Sequence, residues 1–126
     1  MADDAEQPVP MLFTCTHGAD DPERATVPFI AASTAAVSGQ HAIVVCTVEA
    51  VRIGTLGYAE TVSDDDLTPL STLVQLLVGN GGEIWLCSSC TKKRDIDEDD
   101  LVDGAQIVGA AKIVEALAEG KAISLT

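Results

Sequence analysis

The sequence predicts an α/β fold in three layers, a five-stranded, mostly parallel sheet with helices on both faces. Three observations carry this prediction. Short apolar runs alternate with helical patterns along the whole chain, the habit of βαβ units joined by right-handed crossovers. Residues 42–48 (Ala-Ile-Val-Val-Cys-Thr-Val) form a continuous, largely β-branched run, which marks a strand buried on both faces. Leu70, Leu73, Val74, Leu77 and Val78 follow the i, i+3, i+4, i+7, i+8 spacing of an amphipathic helix.

Taken in order, residues 1–8 read as a flexible acidic leader and residues 9–126 as a single domain. Residues 9–15 make the first strand. A loop follows with a helix-start signal, since Asp20 or Asp21 can cap and Pro22 suits the first helical position. The helix is expected to turn Val27, Ile30, Ala31, Thr34 and Ala35 inward and to stop at Gly39. Pro28 leaves open whether it kinks there or becomes regular only near Thr26. Residues 42–48 are the second strand, and 49–67 the longest loop, with a short helical turn. Thr68-Pro69 opens the second helix and Gly79-Asn80-Gly81-Gly82 ends it. Residues 84–87 form the third strand, 88–94 a short helix or turn, 97–102 an acidic turn and 105–108 the fourth strand. The last helix is expected to face Ala110, Ile113, Val114, Leu117 and Ala118 inward and to close at Gly120, before a final strand over 122–125.

Composition narrows the function. Twenty Asp and Glu against seven Lys and Arg give a net charge of −13, which repels nucleic acid and anionic membranes as partners. No basic n-region opens the chain and no uncharged stretch reads as a membrane span, so a cytoplasmic location is expected. There the four cysteines are expected as thiols for metal, catalysis or packing rather than as a disulfide framework.

In a doubly wound sheet the chemistry gathers at the carboxyl ends of the strands, where the strand order reverses. Cys15, Cys46 and Cys87 all lie at or near such ends, His17 follows Cys15, and Cys90 follows Cys87. Cys15 and Cys46 stand in apolar runs and read as core, while His17 reads equally as a loop hydrogen-bonding residue or a site residue. Cys87 and Cys90 stand at a strand-to-helix turn, where free amides and the helix dipole favour a thiolate. Lys92, Lys93 and Arg94 follow at once, almost half the basic charge of the chain. A CxxC at this place fits a redox pair, a sulfur carrier or half of a zinc site.

The run from Cys87 to Arg94, with Leu101-Val102-Asp103-Gly104-Ala105 and Ile107-Val108-Gly109-Ala110-Ala111 behind it, resembles the DsrE/DsrF-like family of sulfur-relay proteins. Thr16-His17-Gly18 followed by Asp21-Pro22-Glu23-Arg24-Ala25 resembles that family's first loop and helix. The resemblance implies a flavodoxin-like α/β fold, a homo-oligomer (trimer or hexamer), and sulfur carried as a persulfide on the cysteine that falls at Cys87. Cys90 matches a second cysteine found in only some members. The family's basic-Arg-Gly ending is here Arg94-Asp95, so the turn after the short helix is expected to differ.

Three functions follow for weighing. The first is a sulfur carrier acting through Cys87, supported by His17, Lys92, Lys93 and Arg94, between sulfur donor and acceptor proteins. The second is a thiol–disulfide oxidoreductase using Cys87 and Cys90. The third is a non-catalytic metal-binding module built from Cys15, His17, Cys87 and Cys90. No cofactor is expected, because the first loop has a single glycine, Gly18, and no phosphate-cradling pattern.

Overall fold

The computed structural model describes residues 9–125; the acidic leader lies outside the described residues. Five strands form one sheet: β1 (Met11–Cys15), β2 (Ala42–Cys46), β3 (Glu83–Cys87), β4 (Ala105–Val108) and β5 (Lys121–Ser124). Their order is β4-β3-β2-β1-β5, and every pairing between neighbours is parallel, so the sheet is wholly rather than mostly parallel. The chain steps outward from β1 to β4 and then returns to the far side of β1, which puts the order reversal between β1 and β5. β2 is buried at all five positions, as a run apolar on both faces requires of a central strand.

Helices α1 (Pro22–Val37) and α2 (Leu70–Gly79) pack together on one face. Beneath them lie Phe13, Cys15, Val44, Cys46, Ile84 and Leu86 from the strands. The opposite face presents Leu12, Ile43, Val45, Trp85 and Val108 to the single helix α4 (Ala110–Glu119). The amino edge on that side is tied by Glu83. Its carboxylate accepts from Trp85 Nε1 at 3.0 Å and Gln106 Nε2 at 3.0 Å and meets His41 Nε2 at 2.7 Å. Lys112 of α4 stands 4.9 Å from the Trp85 ring centroid and donates to Gln106.

Three local expectations need correcting. α1 starts at Pro22, capped by Asp21, and continues through Pro28. Its inward residues are Ala25, Thr26, Pro28, Phe29, Ala32, Ser33 and Ala36, a face rotated from the expected one of Val27, Ile30, Ala31, Thr34 and Ala35. Phe29 supplies the bulk, and the alanines let the helix come close to the sheet. In α4 only Ala116 is buried and Ile113 packs on the sheet, while Val114 and Leu117 are 62% and 40% exposed. A one-sided helix shows that it has an apolar face, not that this chain covers it.

The third correction concerns the longest loop, which is a built strap. It holds 3-10 turns over Val48–Gly54 and Ala59–Thr61, and it buries Ala50, Val51, Ile53, Gly54, Ala59 and Val62. A second crossing segment ties it down: Leu56 donates to the Asp100 carbonyl at 2.9 Å and Val102 to the Gly54 carbonyl at 2.8 Å. Gly54 is required by close approach, since a Cβ there would stand 2.6 Å from Leu86 Cδ1.

Candidate functional site

The four cysteines separate into two pairs of different character. Cys15 and Cys46 face each other in register at the ends of β1 and β2, both fully buried. The Cys15 thiol donates to the Ala25 carbonyl of α1 at 3.6 Å. Its hydrogen bond with Cys46, together with burial, pushes the Cys46 thiol well above its ordinary range. Both are packing groups, as their apolar surroundings in the sequence suggest. Cys87 and Cys90 are half-buried and free.

Cys87 ends β3 and is the N-cap residue of α3 (Ser88–Lys93). Its sulfur occupies the place of a capping oxygen without closing a capping hydrogen bond. Partial burial pushes the thiol up, but the Cys90 amide, the Cys90 side chain and the Ser89 amide outweigh it, and the net shift is downward. The groups responsible thus lie inside the Cys-Ser-Ser-Cys turn and not in the basic run after it.

Cys90 is held from the strap. Val48 N–H donates to Cys90 Sγ at 3.1 Å, and Val48 has φ +55°. A left-handed β-branched residue is a strained exception, and here the strain directs an amide at a sulfur. The guanidinium of Arg94 secures the same junction. Its Nη1 donates to the Cys90 carbonyl at 3.2 Å and its Nε to Glu49 at 3.1 Å, while Arg52 reaches the other Glu49 oxygen at 2.8 Å. Arg94 is therefore committed to joining α3 to the strap. Lys92 and Lys93 sit exposed on the last turn of α3, where positive charge suits the helix C-terminus.

The turn after α3 keeps the geometry that the missing glycine put in question. Asp95 takes φ +56°, its N–H bonds the Lys92 carbonyl, and the Ile96 N–H bonds the Thr91 carbonyl. That is a Schellman ending with Asp in the place usually held by Gly.

The first loop is seated on the strap. Tyr58 Oη accepts from the Ala19 N–H at 2.7 Å, and Gly18 packs beneath the Tyr58 ring and the Glu49 carbonyl. His17 meets Thr16 Oγ1 at 3.0 Å; among the described residues, no hydrogen bond joins it to Cys87 or Cys90. No group of three or more His, Cys, Asp or Glu among the described residues is placed to hold a metal ion. The ligand set Cys15, His17, Cys87 and Cys90 therefore has no geometric support, since Cys15 is turned into the core toward α1.

The half-exposed pair lies at the carboxyl ends of the strands, as expected. It stands on β3, however, away from the β1–β5 reversal that was the expected address. Sequence reasoning missed Val48 and Glu49. Val48 carried no local signal, and Glu49 lies 45 positions from Arg94.

Among the described residues no helix is long and apolar enough to cross a membrane. No curated protein matches the sequence. Solved structures do match in fold. The ychN protein of E. coli superposes with a TM-score of 0.75 at 16% identity, covering 91% of this chain and 97% of that one. MTH1491 of Methanobacterium thermoautotrophicum, described as of unknown function, gives 0.71 at 21% identity over 91% and 97%. BT1422 of Bacteroides thetaiotaomicron, likewise of unknown function, gives 0.65 at 15% over 99% and 100%. The model of the DsrE/DsrF-like family, a family associated with sulfur relay, matches residues 10–124. The chain belongs to the DsrE/DsrF-like family.

Proposed function

We propose that this protein is a sulfur carrier whose Cys87 accepts sulfane sulfur and passes it to a partner protein. The observation that carries the reading is a half-exposed Cys87 thiol held below its ordinary range by the amides and side chain of its own turn. In the reaction the Cys87 thiolate attacks the sulfane sulfur of a donor persulfide, the donor thiolate leaves, and Cys87 becomes a persulfide anion. An acceptor thiolate then attacks the terminal sulfur and releases the Cys87 thiolate. One sulfur atom moves and neither protein is oxidised overall. The exposed Lys92 and Lys93 offer acidic partners a docking point in an otherwise acidic protein.

The test is intact mass after treating the reduced protein with polysulfide, or with thiosulfate plus a sulfurtransferase. Wild type is expected to gain sulfur and Cys87→Ser to gain none. No gain on wild type, or an undiminished gain on Cys87→Ser, overturns the proposal.

One observation favours a second reading, a thiol–disulfide oxidoreductase: the Cys90 side chain lies close enough to affect Cys87. Redox titration separates the two, because an oxidoreductase loses activity in both Cys87→Ser and Cys90→Ser and a carrier only in the first.

The family's link with oligomers and the exposed Val114 and Leu117 on α4 support self-association over that face. Light scattering is expected to read a multimer that Leu117→Glu dissociates; an unchanged mass in that variant rejects the placement.

A further inference from the structure

A second concavity lies apart from the cysteine pair. A cavity of about 350 Å³ opens beside α2, and neither Cys87 nor Cys90 lines it. That volume falls at the lower end of the range for small-molecule sites. Three segments enclose it. Ser71, Val74, Gln75 and Val78 follow the i, i+3, i+4, i+7 spacing and set one stripe of α2 along it. The strap supplies Ile53 and the turn of Ala59 and Glu60, and the connection into β4 supplies Val102 and Asp103. These walls are fixed to one another. Val102 N–H donates to the Gly54 carbonyl at 2.8 Å, and Val62 N–H closes the turn on the Ala59 carbonyl at 3.1 Å. Gly104, at φ +86°, presses so closely on α2 that a Cβ there would stand 2.6 Å from Val78 Cγ2. The cavity is therefore built in advance, which lowers the cost of filling it.

Floor and rim differ in chemistry. Ile53, Ala59 and Val74 are buried and Val78 and Val102 partly so, which makes the floor aliphatic. The rim carries the carboxylates of Glu60 and Asp103, and no Lys, Arg or His lines the cavity. Among the described residues no ion pair or hydrogen bond engages either carboxylate, nor the side chains of Ser71 and Gln75. An anion would be repelled by this rim and by the net charge of −13. A neutral apolar molecule would gain only the floor. A cation on an apolar body gains both.

We propose that this cavity binds a small organic ammonium, an apolar body bearing one primary amine. The body lies on the aliphatic floor. The ammonium has three N–H donors and no acceptor, which suits a rim of two carboxylates, a hydroxyl and an amide carbonyl. A quaternary ammonium is the poorer fit, because no aromatic ring lines the cavity to cage it. The proposal does not rest on the carrier reading, since the Cys87–Cys90 turn contributes nothing to the cavity.

The experiment follows the backbone amides of the full chain by NMR during titration with phenethylamine. 2-Phenylethanol and phenylacetate serve as its neutral and anionic counterparts. Phenethylamine is expected to shift the amides of Ala59, Val74, Val78 and Val102 saturably. An exposed ion pair is worth up to about fivefold in affinity, so the alcohol is expected to bind about tenfold more weakly and phenylacetate not measurably. Glu60→Gln and Asp103→Asn should each weaken phenethylamine by about two- to fivefold and leave the alcohol unchanged. Ser71→Phe, which gives up no hydrogen bond, should fill the cavity and abolish the shifts. The Gln and Asn variants change almost no volume, so they carry the test if Ser71→Phe does not fold. Absence of a saturable shift, shifts scattered over the acidic surface, equal affinity for the alcohol, or unchanged affinity in both charge variants overturns the proposal. Shifts of the same amides on dilution without amine would show the cavity filled by a second copy of the chain, and overturn it equally.

Discussion

Substituting Gly18 by alanine tests how the first loop is held to the strap that carries Val48. The added Cβ would stand 2.6 Å from Tyr58 Oη, 3.2 Å from the Glu49 carbonyl oxygen and 3.3 Å from Tyr58 Cε2. The tyrosine tip must move, and with it goes the 2.7 Å hydrogen bond that it accepts from Ala19. Losing that bond costs about 1 kcal/mol, and crowding against the Glu49 carbonyl adds a similar amount. Reduced freedom of the unfolded chain returns about 0.5 kcal/mol, leaving Gly18→Ala about 1–2 kcal/mol less stable. Near the size of this chain that is a fall of roughly 3–8 °C in Tm.

Tyr58→Phe removes the hydroxyl and costs about 1 kcal/mol by the same hydrogen bond. The double variant has no hydroxyl left to clash and no bond left to lose; only the crowding against the Glu49 carbonyl remains, partly offset by the unfolded chain, so its cost exceeds that of Tyr58→Phe alone by about 0.5 kcal/mol. Urea unfolding of the four proteins gives the coupling, expected at about 1 kcal/mol and well above the roughly 0.3–0.5 kcal/mol scatter of independent sites. Additive costs would refute the claim that the loop rests on Tyr58.

Two further outcomes follow from the turn around α3. Asp95→Gly relieves a left-handed aspartate and removes a negative charge beside a helix C-terminus, so it should raise stability by about 0.5–1 kcal/mol in thermal melts; a loss would contradict the Schellman assignment. The lowered Cys87 thiol makes stability pH-dependent in a definite direction. Between its folded value and the unfolded value of about 8.5, the unfolded chain binds more protons, so stability rises with pH. The urea midpoint of wild type relative to Cys87→Ser should therefore climb through that window, level off above it, and be lost as pH falls through the folded value. A flat difference would show that the folded thiol is not shifted.

How far the sequence could be read depended on the range of each interaction. The α2 face of Leu70, Leu73, Val74, Leu77 and Val78 was legible because Ser71, Thr72 and Gln75 interrupt its apolar positions; the first four are buried and Val78 packs partly buried against the core. The α1 face was not, since alanines surround the helix and only packing against the sheet selects Phe29, Ala32 and Ala36. Cys87 and Cys90 could be located from the strand end before them. The role of Arg94 could not, because its partner Glu49 is distant in sequence and invisible to any local pattern. The basic run was expected as a whole to support Cys87, whereas Arg94 joins two segments and the turn's own groups shift the thiol. Val48 illustrates the same limit. It was expected as the last residue of a strand over 42–48, yet the strand ends at Cys46 and Val48 turns left-handed to reach Cys90.

The central claim is that sulfur resides on Cys87, and site-resolved mass analysis tests it most directly. Reduced protein is loaded with a sulfane donor, its persulfides are trapped by alkylation, and the digested peptide is fragmented to place the extra sulfur. The account predicts one additional sulfur on Cys87, none on Cys90, and its loss when an acceptor thiol protein is added before trapping. Extra sulfur on Cys90, a Cys87–Cys90 disulfide in its place, or no sulfur on either residue would contradict it.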